Sequence, residues 1–331
     1  MDLNCHTVLV IRDWDESIVI RFERLIVMMD KSFLKEIEAF AGQGALLTEE
    51  LLSSHTTFRV GGKADAFLSV QNEEQIIQTI KVCEKYRAPF FILGNGSNLL
   101  VSDEGYRGLV IAIGNDMAEI TVEGDSVTAQ AGALLSNVSR VAAKNSLSGM
   151  EFASGIPGTI GGAIVMNAGA YDGEMKNIVT QVRALTRDGN VLTLSGEEME
   201  FGYRMSRVKK KGLIVLSVTM LLEKKEQEVI YEKMNDFSQR RREKQPLEYP
   251  SAGSTFKRPE GMFAGKLIMD AGLRGYSVGD AQVSEKHCGF VINKGNATAK
   301  EVRSVIRDVQ EKVKEAFGVE LETEVIFVGD F

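Results

Sequence analysis

The stretch SGIPGTIGGAIVMNAGAYDG, residues 154–173, is the most informative part of the sequence. Glycine and alanine are too frequent in it for an ordinary helix or strand, although Ile156, Ile160 and Ile164 keep it apolar. Pro157 fixes one φ angle and stiffens the approach to the glycines. A ligand can lie directly against main-chain atoms where no β-carbon intervenes, and it can then use their N–H groups. The stretch therefore predicts a binding surface of bare backbone for a large flat ligand.

A second glycine-rich segment, LGNGSNLLVSD, residues 93–103, comes after the apolar run FFI, which is typical of a buried strand. A GxGxxG dinucleotide fingerprint would need a third glycine at Leu99 and a helix after it, so an ordinary Rossmann site is not expected. Taken alone, this segment fits a tight turn with positive φ and a phosphate-binding turn equally well. Together, the two segments predict a dinucleotide-sized cofactor held mostly by main chain, without revealing its chemistry.

Composition excludes several classes of protein. The 331 residues suggest two or three domains, and 44% hydrophobic residues are enough for a sizeable core. A net charge of -7 argues against a nucleic-acid partner, and the cluster RRREK, residues 240–244, is the one basic exception. Three cysteines and three histidines without ligand spacing predict neither a disulfide framework nor a metal site, and they fit a cytoplasmic protein. No apolar run reaches the ~18 residues of a membrane helix, so no membrane partner is expected.

The N-terminal residues 1–28 differ from the rest of the chain. Two short apolar runs are interrupted by acidic residues and arginines, and Met28 and Met29 directly precede the helix-like DKSFLKEIEAF. We interpret residues 1–28 as an extension, and we hypothesise that it is non-native or misassigned. Its deletion is expected to leave folding and activity intact.

Periodicity and turn signals predict alternating helices and strands. Asn72 is a plausible N-cap for a helix that lies between two strands, and residues 134–147 are predicted to form a further helix. Hairpins are expected at Gly124-Asp125 and Asp188-Gly189. A long strand over residues 213–223 precedes a charged helix, which places a domain boundary near residue 225.

The last third of the sequence predicts a helix around FAGKLIMDAGL, a strand in CGFVIN and a long final helix. Thr298 and Glu301 have capping-box spacing, and the apolar residues after them recur on one helical face. After Gly318, the run VELETEVIFVG is expected to close the chain as a strand. The predicted apolar face consists of Val302, Val305, Ile306, Val309 and Val313.

Six blocks then point to a known family. HTTFRVGGKAD, ILGNGSNLLVSD, SGIPGTIGGAIVMNAGAYDGEM, FGYRMS, PSAGSTFKRP and LETEVIFVG occur in this order. From about residue 30 to the end, the chain resembles the UDP-N-acetylenolpyruvoylglucosamine reductase family. The resemblance implies a flavoenzyme that uses NADPH to reduce the enolpyruvyl ether of UDP-N-acetylglucosamine to UDP-N-acetylmuramate, for peptidoglycan synthesis.

The resemblance also implies a fold class and a domain order. The expected architecture is α+β, with the FAD-binding fold of the vanillyl-alcohol-oxidase/PCMH type in two subdomains and a C-terminal α+β substrate-binding domain. Residues 29–112 and 113–225 would be the two subdomains, and residues 226–331 would be the substrate-binding domain. The short span before the SAGSTF block resembles the family subtype that lacks a mobile tyrosine-bearing loop, and a monomer is expected.

Three catalytic residues are implied by the resemblance. Arg204 would hydrogen-bond the enolpyruvyl carboxylate as negative charge develops on it, and Ser254 would donate the proton. Glu324 matches the family's catalytic glutamate and would stabilise the intermediate if its carboxyl is protonated or shares a hydrogen bond. Alternation on a terminal strand would put Glu322 on the same face, so only the motif separates the two glutamates.

The remaining contacts are implied by the same blocks. Lys257 precedes Arg258, where some relatives have Lys-Asn, which leaves the role of position 258 undecided. The residues expected to bind substrate are Tyr171, Tyr203, Lys244 and Lys257. The residues expected to bind FAD are Arg59, Gly94, Asn95, Gly96, Ser97, Asn98, Leu99, Ile156, Pro157, Gly158, Gly161 and Gly162.

Two other functions are compatible with a flavin-binding fold. A flavin-dependent oxidase or dehydrogenase of another sugar or alcohol would not bring Arg204, Ser254 and Glu324 together around the cofactor. A flavin-binding scaffold without turnover predicts that these side chains diverge in space. The arrangement of the three residues relative to the two glycine segments discriminates these hypotheses.

Overall fold

The computed structural model describes residues 31–331. The predicted extension, residues 1–28, lies outside the described residues. In the described part of the chain, no helix is both long enough and apolar enough to cross a membrane.

The α-helices of residues 31–331 are of two kinds, namely short connectors of five to seven residues and amphipathic or surface helices of ten to 19 residues. The predicted apolar face of the last helix is confirmed, since all five of its residues are buried. In chain order the helices are α1 Lys31–Ala41, α2 Glu73–Tyr86, α3 Leu135–Lys144, α4 Ile160–Met166, α5 Arg207–Lys211, α6 Gln227–Lys244, α7 Ala264–Asp270 and α8 Ala299–Phe317.

The strands are mostly short, and the three longest have eight residues with nearly continuous burial at their centres. In chain order they are β1 Leu46–Leu51, β2 Lys63–Val70, β3 Phe90–Leu93, β4 Leu99–Val101, β5 Tyr106–Ile113, β6 Ile120–Glu123, β7 Ser126–Gln130, β8 Leu147–Ser148, β9 Gly169–Ala170, β10 Gly173–Glu174, β11 Val179–Leu185, β12 Val191–Ser195, β13 Ile214–Leu221, β14 Glu223–Lys224, β15 Ser277–Val278, β16 Ala281–Val283, β17 Val291–Asn293 and β18 Ile326–Val328.

Two sheets form the larger part of the molecule. The first has the order β1-β2-β5-β3, with β5 parallel to both β2 and β3. The second has the order β12-β11-β13-β7-β6 and is antiparallel throughout. Both predicted hairpins, β6-β7 and β11-β12, are confirmed. The C-terminal part adds the sheet β15-β16-β17, and β18 pairs in parallel with β4 far upstream in the chain.

The apolar core is divided between these layers. The largest cluster joins the first two sheets, α1 to α4 and Phe237 of α6. A second cluster fills the C-terminal part, and it includes Phe58, Val60 and Leu100 from the N-terminal third of the chain. The C-terminal part therefore packs directly on the segments around the first glycine loop. The domain boundary near residue 225 remains a prediction.

Local capping agrees with the sequence. Asn72 accepts a hydrogen bond from the Gln75 N–H at 2.9 Å, which confirms the predicted N-cap of α2. The capping box of α8 is complete, since Thr298 Oγ1 accepts from the Glu301 N–H at 3.2 Å and Glu301 Oε2 accepts from the Thr298 N–H at 2.9 Å.

Two local predictions are wrong. The glycine-rich stretch was not expected to form a helix, yet α4 forms within it because Thr159 caps it and its small residues pack closely on a neighbouring chain segment. The terminal strand is shorter than expected. Only β18 pairs as a strand, and the residues before it make one isolated bridge, between Phe256 and Thr323.

The capping box predicts a measurable contribution to stability. Thr298→Ala removes the hydroxyl that accepts from the Glu301 N–H, so the free energy of unfolding should fall by about 1 kcal/mol. Urea unfolding followed by far-UV circular dichroism measures this change. Thr298→Ser keeps the hydroxyl and is the matched control, so equal destabilisation of both variants would contradict the capping role.

Candidate active site

The two glycine-rich segments, residues 93–103 and 154–173, lie side by side and are called the first and the second loop. A β-carbon at Gly94 would lie 2.6 Å from Thr159 Oγ1, and one at Gly158 would lie 3.4 Å from Ser97 Oγ. Gly96 has φ of 58° and faces the carbonyl of His55 so closely that any side chain there would overlap it. The glycines at 94 and 96 are therefore required by the protein's own packing, which brings the two loops into one surface.

The first loop offers a row of unused backbone donors. Among residues 31–331, none of the five N–H groups from residue 94 to residue 98 has a hydrogen-bond partner. The same holds for the N–H groups of Gly158 and Thr159 in the second loop. Gly94 and Asn95 are exposed. Successive N–H groups around a left-handed residue form a concave anion site, so these residues fit the pyrophosphate of a dinucleotide such as FAD.

Other parts of the second loop are engaged within the protein. The N–H of Ile160 donates to Ala133 O at 2.8 Å, and the N–H of Gly161 donates to Ala131 O at 2.9 Å. Gly161 is buried, and a β-carbon there would lie 3.0 Å from the Ala131 side chain. Gly162 is exposed, and a β-carbon there would make only an ordinary contact, at 3.7 Å from Thr159 Oγ1. The bare surface available to a ligand therefore consists of the exposed positions of the loop, and the cofactor contact predicted for Gly161 remains a prediction.

The remaining positions predicted to contact FAD differ in exposure. Pro157 is exposed and Ile156 is half-buried, while Leu99 is buried as the first residue of β4. Arg59 is exposed, and its φ is 56°. It lies at a turn, where its own N–H donates to Thr56 O at 3.2 Å. The HTTFRV block that contains Arg59 touches the first loop, since the Thr57 N–H donates to Gly96 O at 3.3 Å. These roles also remain predictions.

Arg204 lies at a tight reversal of the chain. Gly202 and Met205 exchange two backbone hydrogen bonds across it, of 3.0 and 3.2 Å. Arg204 itself has φ of 53°, which is uncommon for a residue with a side chain. The buried Asn167 supports the turn by donating to Gly202 O at 3.1 Å. Backbone strain of this kind persists only where surrounding contacts fix it.

The strained turn directs Arg204 to Glu324. The Nε of Arg204 donates to Glu324 Oε1 at 2.5 Å across 120 residues of sequence. The Glu324 side chain is only 10% exposed, whereas that of Glu322 is 58% exposed and pairs with Lys257 Nζ at 2.6 Å. The two glutamates therefore lie in different environments, and the expectation that they share one strand face is wrong because no paired strand extends over them.

Electrostatics at Glu324 have two opposing causes. Burial raises the pKa of the Glu324 carboxyl, and the positive charges of Arg204, Lys209 and Lys257 oppose that rise. Burial lowers the pKa of the Lys209 ammonium. One carboxyl and three cations thus share a partly desolvated region, which suits an anionic ligand.

Ser254 lies next to this group through the backbone. The carbonyl of Thr255 accepts from the Glu324 N–H at 2.8 Å, and the Lys257 N–H donates to Glu322 O at 2.8 Å. The segment that carries Ser254 therefore runs alongside the segment that carries Glu324. Within residues 31–331 the half-buried Ser254 hydroxyl makes no hydrogen bond, so it is available to a ligand.

Asn98 joins the first glycine loop to the same segment. Its Nδ2 donates to Glu324 O at 3.0 Å, and its carbonyl accepts from the Ile326 N–H at 2.9 Å. The sequence predicts that Asn98 contacts FAD, and the structure shows its amide nitrogen engaged with the backbone of Glu324 as well. The loop and the catalytic candidates are consequently fixed in one framework.

The tyrosines and the lysine of α6 that were predicted to bind substrate have different surroundings. The Tyr171 ring stacks on Phe237 at 4.4 Å, and its hydroxyl donates to Phe237 O at 3.2 Å. Tyr203 is 55% exposed and its hydroxyl accepts from the Arg258 N–H at 3.1 Å. Lys244 is exposed at the end of α6. None of these contacts excludes a substrate role, and all of them remain predictions.

Two residues of the site were not predicted from the sequence. Lys209 Nζ donates to Arg204 O at 3.1 Å, and Arg241 donates from its guanidinium to Gly155 O in the second loop. Burial lowers the pKa of Arg241. The basic cluster at residues 240–244 is the signal that could have indicated Arg241, whereas no motif in the sequence indicates Lys209.

No metal centre is evident in the described part of the chain. Across residues 31–331, no group of three or more His, Cys, Asp or Glu side chains is arranged so that it could hold a metal ion.

Comparison with known proteins identifies the family. Residues 64–195 match the model of the FAD binding domain, and residues 245–328 match that of the UDP-N-acetylenolpyruvoylglucosamine reductase C-terminal domain. A UDP-N-acetylenolpyruvoylglucosamine reductase of Clostridium perfringens is 55% identical over 297 residues, which cover 90% of this chain and 97% of that protein. The reductase of Agathobacter rectalis is 52% identical over 317 residues, which cover 92% of this chain and 100% of that protein.

A solved structure agrees with these relatives. The crystal structure of the reductase from Thermus caldophilus superposes with a TM-score of 0.75 at 38% identity, covering 85% of this chain and 98% of that chain. The predicted mixed architecture of helices and sheets with an FAD-binding domain is confirmed, and FAD as the cofactor is confirmed with it. The chain belongs to the UDP-N-acetylenolpyruvoylglucosamine reductase family.

Proposed function

We propose that this protein reduces UDP-N-acetylglucosamine enolpyruvate to UDP-N-acetylmuramate with NADPH, as an FAD-dependent step of peptidoglycan precursor synthesis. The observation that supports it best is the contact of Arg204 with Glu324 beside the segment of Ser254. The Asn98 hydrogen bond ties this group to the loop whose unused N–H groups fit the cofactor pyrophosphate. An oxidase of another alcohol would not need this constellation.

The net reaction adds one hydride and one proton across the carbon–carbon double bond of the enolpyruvyl ether. NADPH supplies the hydride and becomes NADP⁺, and bound FAD supplies the relay between the two substrates. The double bond of an enol ether is not intrinsically electrophilic. The protein must therefore stabilise negative charge that develops on the enolpyruvyl carboxylate.

Arg204 is suited to bind that carboxylate. A guanidinium offers several N–H donors in a fixed plane, and the Arg204 side chain is already oriented by Glu324 Oε1 at 2.5 Å. The cations also offset the charge of Glu324, which would otherwise repel an anionic intermediate. Glu324 thus fixes Arg204, and its raised pKa favours a carboxyl that can share or hold a proton near the intermediate.

Ser254 is the proposed proton donor. A hydroxyl is a weak acid, so it can protonate only a strongly basic centre such as an enolate-like carbon, directly or through water. The absence of a hydrogen-bond partner for its hydroxyl within residues 31–331 supports this role. No histidine is paired with it in those residues, which argues against a nucleophilic serine.

The protein is inferred to act in the cytoplasm as a monomer. The Arg204–Glu324 contact and the pairing of the Ser254 and Glu324 segments form within one chain, which supports the monomer. The domain boundaries at residues 112 and 225 are part of the same proposal. The chain would close over the sugar nucleotide without the extra tyrosine-bearing loop of the longer family subtype. Light scattering of the purified protein tests the monomer.

A spectroscopic assay discriminates the three functions. The purified protein should be yellow, should bleach with NADPH under nitrogen and should recolour on addition of the enolpyruvyl sugar nucleotide. Recolouring only with oxygen, and bleaching by a simple alcohol, would indicate an oxidase. An NADPH-insensitive yellow protein would indicate a scaffold without turnover.

The crowding at Gly96 predicts a specific loss of FAD. In Gly96→Ala the new methyl group meets the His55 carbonyl, so the first loop must shift and its N–H groups lose their arrangement. The protein should purify with much less FAD, as measured by absorbance at about 450 nm relative to about 280 nm, because the cofactor is held mostly by those N–H groups.

Gly124→Ala is the matched control for this variant. Gly124 has φ of 60° against 58° for Gly96, but open space surrounds it. The control carries similar backbone strain of about 1 kcal/mol without the overlap, so it should retain full FAD. Equal loss of FAD from both variants would attribute the effect to strain alone.

The role of Ser254 predicts an asymmetry between the half-reactions. Ser254→Ala should leave flavin reduction by NADPH unchanged and should slow reoxidation by the enolpyruvyl substrate by about 10²- to 10⁴-fold, as loss of a proton donor does. Stopped-flow absorbance measures both steps, and the exposed Ser277→Ala is the control. Equal slowing of both steps in Ser254→Ala would reject the proton-donor role.

A further inference from the structure

Lys209 occupies an unusual position for a lysine. It lies in α5, whose start is capped by Ser206 Oγ accepting from the Lys209 N–H at 3.3 Å. The same hydroxyl donates to Val165 O of α4 at 2.9 Å, so α5 is fastened to the second glycine loop. The Nζ of Lys209 turns inward and donates to Arg204 O at 3.1 Å, with Met166 Sδ at 3.6 Å.

Neighbouring residues show how different this environment is. Lys210 is exposed and pairs with Glu200 at 2.9 Å, as lysines on a helix surface commonly do. Among residues 31–331, no carboxylate lies within 4.0 Å of Lys209 Nζ. The Lys209 ammonium is nevertheless partly buried, and burial lowers its pKa. A partly desolvated ammonium without a direct ion pair is costly, which makes a purely structural role a poor explanation.

The contact of Lys209 is with the strained residue of the site. Arg204 has φ of 53°, and its own carbonyl is the group that Lys209 holds. Asn167 holds a nearby carbonyl of the same turn, that of Gly202. Lys209 thus fixes the peptide that determines where the Arg204 guanidinium points, and its positive charge also acts on the carboxyl of Glu324.

We infer that Lys209 is a positioning residue for the reaction: its ammonium locks the Arg204 main chain and balances the charge of Glu324. This inference rests on the proposed function, since it assigns the residue that prepares Arg204 and Glu324 for the enolpyruvyl substrate. Lys209 itself need not touch substrate.

The sign of the expected pH effect depends on the groups that face Glu324. Burial raises its pKa, and Arg204, Lys209 and Lys257 each oppose that rise, while Glu322 pairs with Lys257 and reduces part of its influence. Removing the Lys209 charge removes one opposing cause. The pKa of Glu324 must therefore rise further, and less of the carboxyl is ionised at any pH near or below the new value.

The test uses the FAD-loaded full chain with Lys209→Met, which keeps length and loses charge, and Lys209→Arg, which keeps charge. Lys210→Met is the surface control. The titration of Glu324 is measured by infrared difference spectroscopy in the wild type and in each variant. In each case the spectrum of the same protein with Glu324→Gln is subtracted, so that the carboxyl signal of Glu324 remains. The two half-reactions are followed by stopped-flow absorbance between mildly acidic and mildly alkaline pH.

Three results are expected. In Lys209→Met the infrared titration of Glu324 moves to higher pH. The pH profile of the substrate half-reaction also contains a pKa that is assigned to Glu324, because it disappears in Glu324→Gln. This kinetic pKa moves to higher pH by the same amount. Reoxidation by substrate slows by at least about 10-fold. The slowing stays below the about 10²- to 10³-fold effect of removing a donor that stabilises charge directly, and reduction by NADPH is unchanged. Lys209→Arg restores both the titration and the rate, and Lys210→Met behaves as wild type.

Contrary outcomes are equally specific. An unchanged Glu324 titration in Lys209→Met, or equal slowing of both half-reactions without rescue by arginine, would overturn the inference. If the wild type is not reoxidised by the enolpyruvyl substrate, the proposed function fails. The infrared titration would still report whether Lys209 acts on Glu324.

Discussion

The parallel pairing of β4 with β18 is the constraint on which the site depends. It brings the end of the chain back to the first glycine loop, and Asn98 adds a hydrogen bond to Glu324 O across 226 residues of sequence. Both strands are short, so the pairing needs the C-terminal core beneath it, where Leu100 packs with residues of α8. The first glycine loop and the carboxyl of Glu324 are therefore parts of one packed unit, although they are encoded at distant positions.

A second feature is the balance of charge and burial around that carboxyl. Glu324 is nearly buried, which favours its neutral form, and three cations favour its ionised form. Burial is the larger of the two effects, so the pKa of the Glu324 carboxyl is raised. The uncommon backbone of Arg204 belongs to the same arrangement, because it is stabilised by contacts to Asn167 and Lys209 that exist only in the folded protein.

The glycines show that a bare backbone has more than one cause. Gly94 and Gly96 lack side chains because neighbouring protein atoms occupy the space, and Gly161 packs closely on Ala131. Gly162 is exposed and a β-carbon would fit there, and the N–H groups from residue 94 to residue 98 have no hydrogen-bond partner within residues 31–331. The interpretation of the glycine-rich stretches as a ligand surface agrees with the FAD-binding family, but part of the glycine content serves to bring the loops close to each other.

Apart from α4 and the length of the terminal strand, the sequence by itself determined the local structure, and it determined the family. Helix caps, hairpin turns, the apolar face of α8 and the ordered blocks all lie within short spans, where spacing and residue type are sufficient. The tertiary structure alone decided which of Glu322 and Glu324 is buried, and it alone brought Lys209 to the Arg204 carbonyl and Arg241 to the second loop. The reason is physical: burial and charge balance depend on neighbours from several chain segments, and no pattern within one segment encodes them.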